Sequence, residues 1–154
     1  MRIITLHCDY IRFKPVKKAI NEPEEITDKS EKEVKECLVV LTAIEQGDND
    51  QTVRDLVGAV KKTAGEVKTN KIVLYPYAHL SSKLAAPSTA LEYLVEAGSV
   101  LKKEGFEVIR APFGYYKEFE LKVKGHPLSE LSKEFKTGEL KEETKIPGVV
   151  EKHE

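Results

Sequence analysis

Two short segments of this sequence combine side chains that could bind or transform a small polar ligand. YPYAHLSS, at 75–82, has two tyrosines, His79 and two serines directly after an apolar run. APFGYYK, at 111–117, ends in Lys117 after three aromatic residues. Such groups predict a pocket with uncharged walls, one cation and few carboxylates. That composition suits binding a polar ligand, or adding water to an ester, better than glycoside or metal chemistry.

Lys117 is the unusual member of the second segment. In KEFELKV the residues alternate, and parity places Lys117 on the side of the apolar residues Phe119, Leu121 and Val123. Two interpretations are open. The lysine stem lies over apolar surface while its ammonium reaches water, or the ammonium lies at the mouth of a pocket walled by Phe113 and Tyr116. In the second case a lower dielectric strengthens its attraction for a developing oxyanion or an attacking water.

His79 also has two interpretations. In the structural one it supports a tight strand exit, and Ser81 or Ser82 caps a turn. In the functional one the segment forms a pocket rim, in which Pro76 and Ala78 expose backbone groups and His79 contacts the ligand.

A third segment, KGHPLSEL at 124–131, carries His126 and Glu130. We expect His126 to cap or pack, and Glu130 to lie on a solvated face beside an apolar stripe. The backbone N–H groups of a helix beginning here are an alternative anion site.

Familiar catalytic and metal motifs are absent from the sequence. It has no P-loop, no G-x-G-x-x-G, no H-E-x-x-H, no G-x-S-x-G and no paired C-x-x-C. The histidines have no tight metal-ligand spacing, which leaves His7, Cys8 and His79 as the only zinc alternative. We therefore expect a site without a metal.

Composition describes one globular domain of 154 residues. The 25 basic and 26 acidic side chains give a net charge of −1, so any nucleic-acid contact must be local. Cys8 and Cys37 lie in apolar runs, as buried thiols of a reducing compartment do. With no long apolar stretch and no signal-peptide pattern, we expect a cytoplasmic protein that does not enter a membrane.

Hydrophobic periodicity predicts a layered α/β domain with a mixed sheet and packed helices. The predicted strands are 2–13, 37–45, 71–77, 106–112 and 117–124. The predicted helices are 51–68, 87–104 with Val95 inward, and a short one at 126–135. Residues 14–35 are interpreted as a charged loop and 137–154 as a charged tail or linker, which leaves 1–136 as the domain. Because 76–82 and 111–117 both follow strands, they could share one rim.

The same segments, together with LHCDY at 6–10, resemble the N-terminal editing domain of archaeal-type threonyl-tRNA synthetases over about residues 1–135. The resemblance implies a fold similar to D-aminoacyl-tRNA deacylases. It also implies hydrolysis of L-serine wrongly attached to threonine tRNA, with L-threonyl-tRNA spared. It further implies that the 2′-hydroxyl of the tRNA's terminal adenosine assists the hydrolysis and that main-chain atoms hold much of the substrate.

The resemblance assigns roles to seven residues of this sequence. Lys117 is the key polar side chain, which places the water and senses the substrate, with His79, Tyr116 and Glu130 in support. The substrate-binding residues are Pro76, Ala78 and Phe113. No cofactor is implied in this site, whereas ATP and zinc would serve the parent synthetase outside this chain. The implied partners are the 3′ end of threonine tRNA, the remaining synthetase domains and a second copy in a homodimer.

The sequence departs from the family pattern at Cys8, where we expect serine, so a hydroxyl hydrogen bond is in doubt there. Synthetase catalytic and anticodon-binding domains are also absent from these 154 residues. Two alternatives stay open: a D-aminoacyl-tRNA deacylase, and a non-catalytic module that binds tRNA ends or dimerises its parent.

Overall fold

The computed structural model describes residues 1–136, so the predicted tail at 137–154 lies outside the described residues. A short 3₁₀ turn, Ala78–Leu80, follows the third strand. In chain order the strands and helices are β1 (Arg2–Lys18), β2 (Lys32–Ala43), α1 (Asp50–Val67), β3 (Lys71–Pro76), α2 (Pro87–Lys103), β4 (Glu107–Arg110), β5 (Tyr115–Val123) and β6 (Glu130–Glu134).

All six strands of the described part form one mixed sheet, which confirms the predicted fold class. The order is β4-β3-β2-β1-β5, and β6 pairs with β1 beside β5. Strands β2, β3 and β4 are parallel and are linked by α1 and α2, whereas β1 is antiparallel to its partners. The carboxyl ends of β2, β3 and β4 therefore meet at one edge, where a ligand site is expected.

Two apolar clusters, one containing both helices and one without them, explain the continuous apolar run of β2. Leu38 and Val40 belong to the cluster that contains the buried residues of α1 and α2. Val39 and Leu41 belong to the second cluster, which contains strand residues such as Phe13 and no residue of either helix. Because alternate residues of a strand point to opposite faces, a strand buried on both faces must be apolar throughout.

Local signals define both helices. The side chain of Asn49 accepts hydrogen bonds from the backbone at the start of α1, and the hydroxyl oxygen of Thr52 accepts one from the Asn49 N–H. Pro87 is the first residue of α2, where its fixed φ suits the helix. The helix ends before Gly105, whose φ of +100° favours glycine. Within α2 the prediction for Val95 was wrong, because that side chain is 45% exposed.

Strand β1 is longer than predicted and includes Pro15. Its pairing with β2 ends at Phe13, opposite Lys32, while its pairing with β5 continues to Lys18. Pro15 therefore lies where one edge of the strand is free of β2, and its missing N–H breaks no β1–β2 hydrogen bond. The predicted loop at 14–35 is shortened from both ends, since β2 already begins at Lys32.

The predicted short helix at 126–135 was wrong. The segment forms a turn followed by β6, which pairs with β1 from Arg2 to Leu6. Apolar residues four apart, Leu131 and Phe135, fit a helical stripe and equally one face of a strand, so the pattern did not distinguish them. Hydrogen bonds available along the edge of β1 favour the strand.

Cys8 and Cys37 are unbridged, fully buried and opposite each other in the β1–β2 register, as expected for structural thiols. Burial raises the pKa of Cys8 to about 12 and that of Cys37 to about 11, which keeps both thiols protonated and unreactive. Neither helix in residues 1–136 combines the length and apolarity needed to cross a membrane.

Candidate functional site

A cavity of about 420 Å³ lies at the edge formed by the carboxyl ends of β2 and β3. The structure brings both sequence-predicted segments to it, as the strand order indicated. Six predicted site residues line this cavity: Pro76, Ala78, His79, Phe113, Tyr116 and Lys117. Thr42, Ala43 and Ile44, at the end of β2, complete the same edge and were not foreseen.

The Lys117 side chain is partly buried, and its ammonium does not extend freely into solvent. Its Nζ donates to the carbonyl oxygens of Pro112 at 2.9 Å and Tyr115 at 3.2 Å. It also lies 5.1 Å from the ring centroid of Tyr75, a cation–π distance. With two N–H groups occupied by carbonyls, a third remains for the ring or for a ligand.

Burial lowers the pKa of Lys117 from its ordinary value to about 8, and the nearby Glu24 carboxylate opposes this shift. A lysine with that pKa is mostly protonated at neutral pH but close enough to its midpoint to respond to a bound ligand. The geometry therefore favours the second interpretation of Lys117, an ammonium at a pocket mouth.

Aromatic rings form the floor of the site beneath Lys117. Tyr75 is buried and packs edge-on against Phe13 and at a tilt against Phe119, with ring centroids 5.9 and 5.3 Å apart. Tyr77 contacts Phe119 at 6.3 Å and the imidazole of His79 at 5.4 Å. These edge-to-face contacts restrict the ring orientations, so His79 is positioned by an aromatic neighbour although it is exposed.

Main-chain hydrogen bonds fix the first segment to the end of β2. The N–H of Tyr77 donates to the carbonyl of Thr42 at 2.8 Å. Ser81 accepts from the N–H of Lys83 at 3.0 Å, which confirms its predicted turn-capping role. The Ser81 hydroxyl also donates to Glu45, whose carboxylate accepts from the N-terminal ammonium of Met1 as well.

Gly114 fixes the second segment against the long loop before β2. Its φ is +87°, which favours glycine. A Cβ at this position would lie 2.8 Å from the Cβ of Pro23 and 2.9 Å from Ile20, closer than real contacts allow. The N–H of Ala19 also donates to the Gly114 carbonyl at 2.8 Å. The turn before β5 is therefore packed on residues 19–24.

Glu130 is the one predicted site residue that the structure does not bring to the cavity. It is exposed at the start of β6, opposite Leu6 of β1. His126 lies in the preceding turn, where it accepts from the N–H of Leu128 and hydrogen-bonds His7 at 2.8 Å. Burial and the neighbouring His126 lower the pKa of His7. His126 was expected to cap or pack beside a helix start; it caps a turn and packs on His7 instead, because no helix begins here.

Within residues 1–136 no three His, Cys, Asp or Glu side chains converge as metal ligands, and His7, Cys8 and His79 form no such group. The cavity itself has no carboxylate among its lining residues. Its polar groups are tyrosine hydroxyls, the Thr42 hydroxyl, an imidazole, an ammonium and main-chain atoms, which can orient a water and an ester without a metal.

Residues 1–135 match the family model of the archaea-specific editing domain of threonyl-tRNA synthetase. The threonine–tRNA ligase of Thermococcus sibiricus is 42% identical over 158 residues, which covers 100% of this chain and 25% of that protein. The ligase of Staphylothermus marinus is 48% identical over 135 residues, covering 86% and 22%. That of Methanocaldococcus jannaschii is 42% identical over 146 residues, covering 93% and 23%. The chain thus spans about a quarter of these relatives.

Two solved structures share the fold at low sequence identity. The c-Myc DNA unwinding element binding protein has a TM-score of 0.66 at 10% identity, covering 88% of this chain and 99% of that chain. A probable eukaryotic D-amino acid tRNA deacylase has a TM-score of 0.51 at 12% identity, covering 80% and 94%. At these identities the likeness shows the fold, which agrees with the expected deacylase-like architecture.

We expect the Lys117 ammonium to titrate near pH 8, measured by heteronuclear NMR of its Nζ. The unfolded chain keeps the ordinary lysine pKa of 10.5, so between about pH 8 and 10 it binds more protons than the folded protein. The free energy of unfolding should therefore rise with pH across this window, relative to a Lys117→Met variant. Lys122→Met, on the same strand and 69% exposed, is the control and should follow the wild type. Identical pH dependence in wild type and Lys117→Met would contradict this placement of the ammonium.

Proposed function

The chain belongs to the family of archaea-specific editing domains of threonyl-tRNA synthetase, and we propose that it hydrolyses the ester of L-serine mischarged on threonine tRNA while sparing L-threonyl-tRNA. The observation that best supports this proposal is the cavity at the β2–β3 edge, which has neutral walls and Lys117 at its mouth. Such a site can accept a small uncharged side chain together with an ester carbonyl.

A separate hydrolytic site is needed because the site that attaches threonine to tRNA discriminates poorly against serine. Serine lacks one methyl group of threonine, so a pocket built for threonine cannot exclude it sterically. The lost methyl contact discriminates by only about 1–3 kcal/mol, or roughly 10–200-fold. A second cavity that rejects the larger side chain supplies the remaining fidelity, and close aromatic and backbone walls are suited to that selection.

In the proposed reaction a water oxygen attacks the ester carbonyl carbon and the bond to the ribose 3′-oxygen breaks. A proton of the water passes to the departing oxygen, which leaves free serine and an uncharged tRNA. The free N–H of Lys117 orients the water or the seryl hydroxyl, and its charge stabilises the oxyanion. The neighbouring 2′-hydroxyl of the terminal adenosine assists. His79 and Tyr116, which line the cavity, support the substrate.

Main-chain atoms make the remaining contacts to the substrate. Pro76, Ala78 and Phe113 line the cavity at the strand exit and in the turn before β5. Backbone carbonyls there can accept from the α-ammonium of the substrate and so select its chirality. Glu130 keeps its proposed supporting role, although it does not line the cavity of this chain.

The parent assembly is part of the same proposal. Because the chain covers about 25% of its curated relatives, the remaining synthetase domains are proposed partners, with ATP and zinc confined to them. The 3′ end of threonine tRNA is the proposed substrate-bearing partner, bound locally because the net charge is −1. We also propose a homodimer, a cytoplasmic location and no cofactor in the editing site.

The substrate assignment is tested by deacylation of three esters on threonine tRNA: L-seryl, L-threonyl and a D-aminoacyl ester. We expect release of serine from the L-seryl ester alone, because the proposed site rejects the larger L-threonyl side chain and the inverted α-carbon. The measurement is the loss of labelled aminoacyl-tRNA with time, against spontaneous hydrolysis. Rapid hydrolysis of only the D-ester would indicate a D-aminoacyl-tRNA deacylase. No turnover of any ester would indicate a non-catalytic module that binds tRNA ends or dimerises its parent.

The role of Lys117 is tested by Lys117→Met, which keeps the length of the stem and removes the charge. Loss of an electrostatic donor at a developing oxyanion lowers kcat by about 100-fold or more, so we expect that fall for L-seryl-tRNA. Lys122→Met on the outer side of β5 should retain wild-type kinetics. If both variants remain folded by circular dichroism and deacylate equally fast, Lys117 has no part in the chemistry.

A further inference from the structure

We propose that Glu24 is a positioning residue of the editing site, which fixes the turn Pro112–Tyr115 and thereby the ammonium of Lys117. The inference rests on the proposed function for its catalytic consequence, while the contacts that carry it are independent of any substrate. Glu24 lies in the long segment between β1 and β2, a part of the chain whose sequence predicts only a charged loop.

The Glu24 carboxylate binds both sides of the turn before β5. It accepts two hydrogen bonds from the Arg110 guanidinium, at 3.1 and 2.6 Å. It accepts a third from the backbone N–H of Phe113 at 3.1 Å. Both charged side chains are mostly buried, 20% and 24% exposed, so this is a bidentate pair shielded from solvent rather than a surface contact.

The Glu24 backbone adds two further hydrogen bonds to the same turn. Its N–H donates to the Phe113 carbonyl at 3.1 Å, and its carbonyl accepts from the Tyr115 hydroxyl at 2.8 Å. Five hydrogen bonds therefore join one residue to the segment from Arg110 to Tyr115. Such a concentration of contacts orders a turn that would otherwise have several conformations.

The fixed turn is the part of the protein that binds the ammonium of Lys117. The two carbonyl acceptors of Nζ belong to Pro112 and Tyr115, on either side of the backbone that Glu24 binds. A change in the path of this turn must therefore move or release the ammonium. Misplacement of a catalytic group by about 1 Å can cost about 100-fold in rate, so small shifts matter.

Glu24 also acts on Lys117 through charge. The titratable side chains that line the cavity with Lys117 are four tyrosines and a histidine: Tyr75, Tyr77, Tyr115, Tyr116 and His79. Glu24 lies behind this lining, and its carboxylate is the group that opposes the burial-induced fall in the Lys117 pKa. Burial favours a higher pKa for Glu24 itself, but hydrogen bonds from Arg110 and from the Phe113 N–H outweigh it, so that pKa is lowered and the carboxylate is ionised.

Glu24→Gln tests the proposal, because it keeps the side-chain size while removing the charge and half of the bidentate pairing. We expect the Lys117 titration midpoint to move to lower pH in NMR. We also expect kcat for L-seryl-tRNA to fall by about 10-fold or more, with KM changed much less, and the alkaline limb of the pH–rate profile to move to lower pH. Glu25→Gln is the matched control, since it removes the same charge at the next residue, which is exposed. It should retain the wild-type midpoint and kcat.

A folded Glu24→Gln protein with the midpoint and kcat of Glu25→Gln would overturn the proposal, as would a lowered melting temperature with neither of them changed. Should Glu24→Gln fail to fold, Glu24→Asp serves instead: it keeps the charge but shortens the reach, so it should lower kcat while the midpoint stays close to that of the wild type. A wild-type midpoint and kcat in that variant would equally overturn the proposal. If the wild type hydrolyses none of the esters, the proposed function fails, whereas the Lys117 titration in Glu24→Gln still decides whether Glu24 positions the ammonium.

Discussion

The rest of this site depends on how the protein compensates the charge of one partly buried ammonium group, that of Lys117. Removing a lysine charge from water is costly, and the protein compensates the charge of Lys117 with two backbone carbonyls, the face of Tyr75 and the nearby carboxylate of Glu24. None of these groups neutralises the charge by direct ion pairing. The ammonium therefore keeps a strong attraction for any oxyanion or polar hydroxyl that enters the cavity.

The sheet topology brings the groups of the site together. The parallel strands β2 and β3 end at the same edge, and the turn that follows β4 reaches the same cavity. Strand β5 then pairs with β1, which directs Lys117 back toward Tyr75. Strands β3 and β5 supply Tyr75 and Phe119 of the aromatic floor, while residues of α2, among them Ala90 and Leu94, line another part of the cavity.

Much of this arrangement could be predicted from local patterns. The alternation after Lys117 placed its side chain on the apolar side of β5, and the continuous apolar run of β2 indicated burial on both faces. Both patterns depend only on residues that are close together in the sequence. The path of β1 past Pro15 and the strand β6 were missed because they depend on which edge of the sheet is free, a property of the assembled fold. Glu24 was missed for the same reason: its partner Arg110 is 86 residues away in the sequence.

The proposed function requires the aminoacyl end of the tRNA to enter the cavity that has Lys117 at its mouth. A crystal structure with a non-hydrolysable seryl-adenosine analogue tests it most directly. We expect the seryl group inside the cavity, with its ester-mimicking carbonyl or its hydroxyl about 3 Å from the Lys117 Nζ, or joined to it through one water. An analogue bound on another surface, or seated in the cavity with the ammonium turned out to solvent, would contradict it.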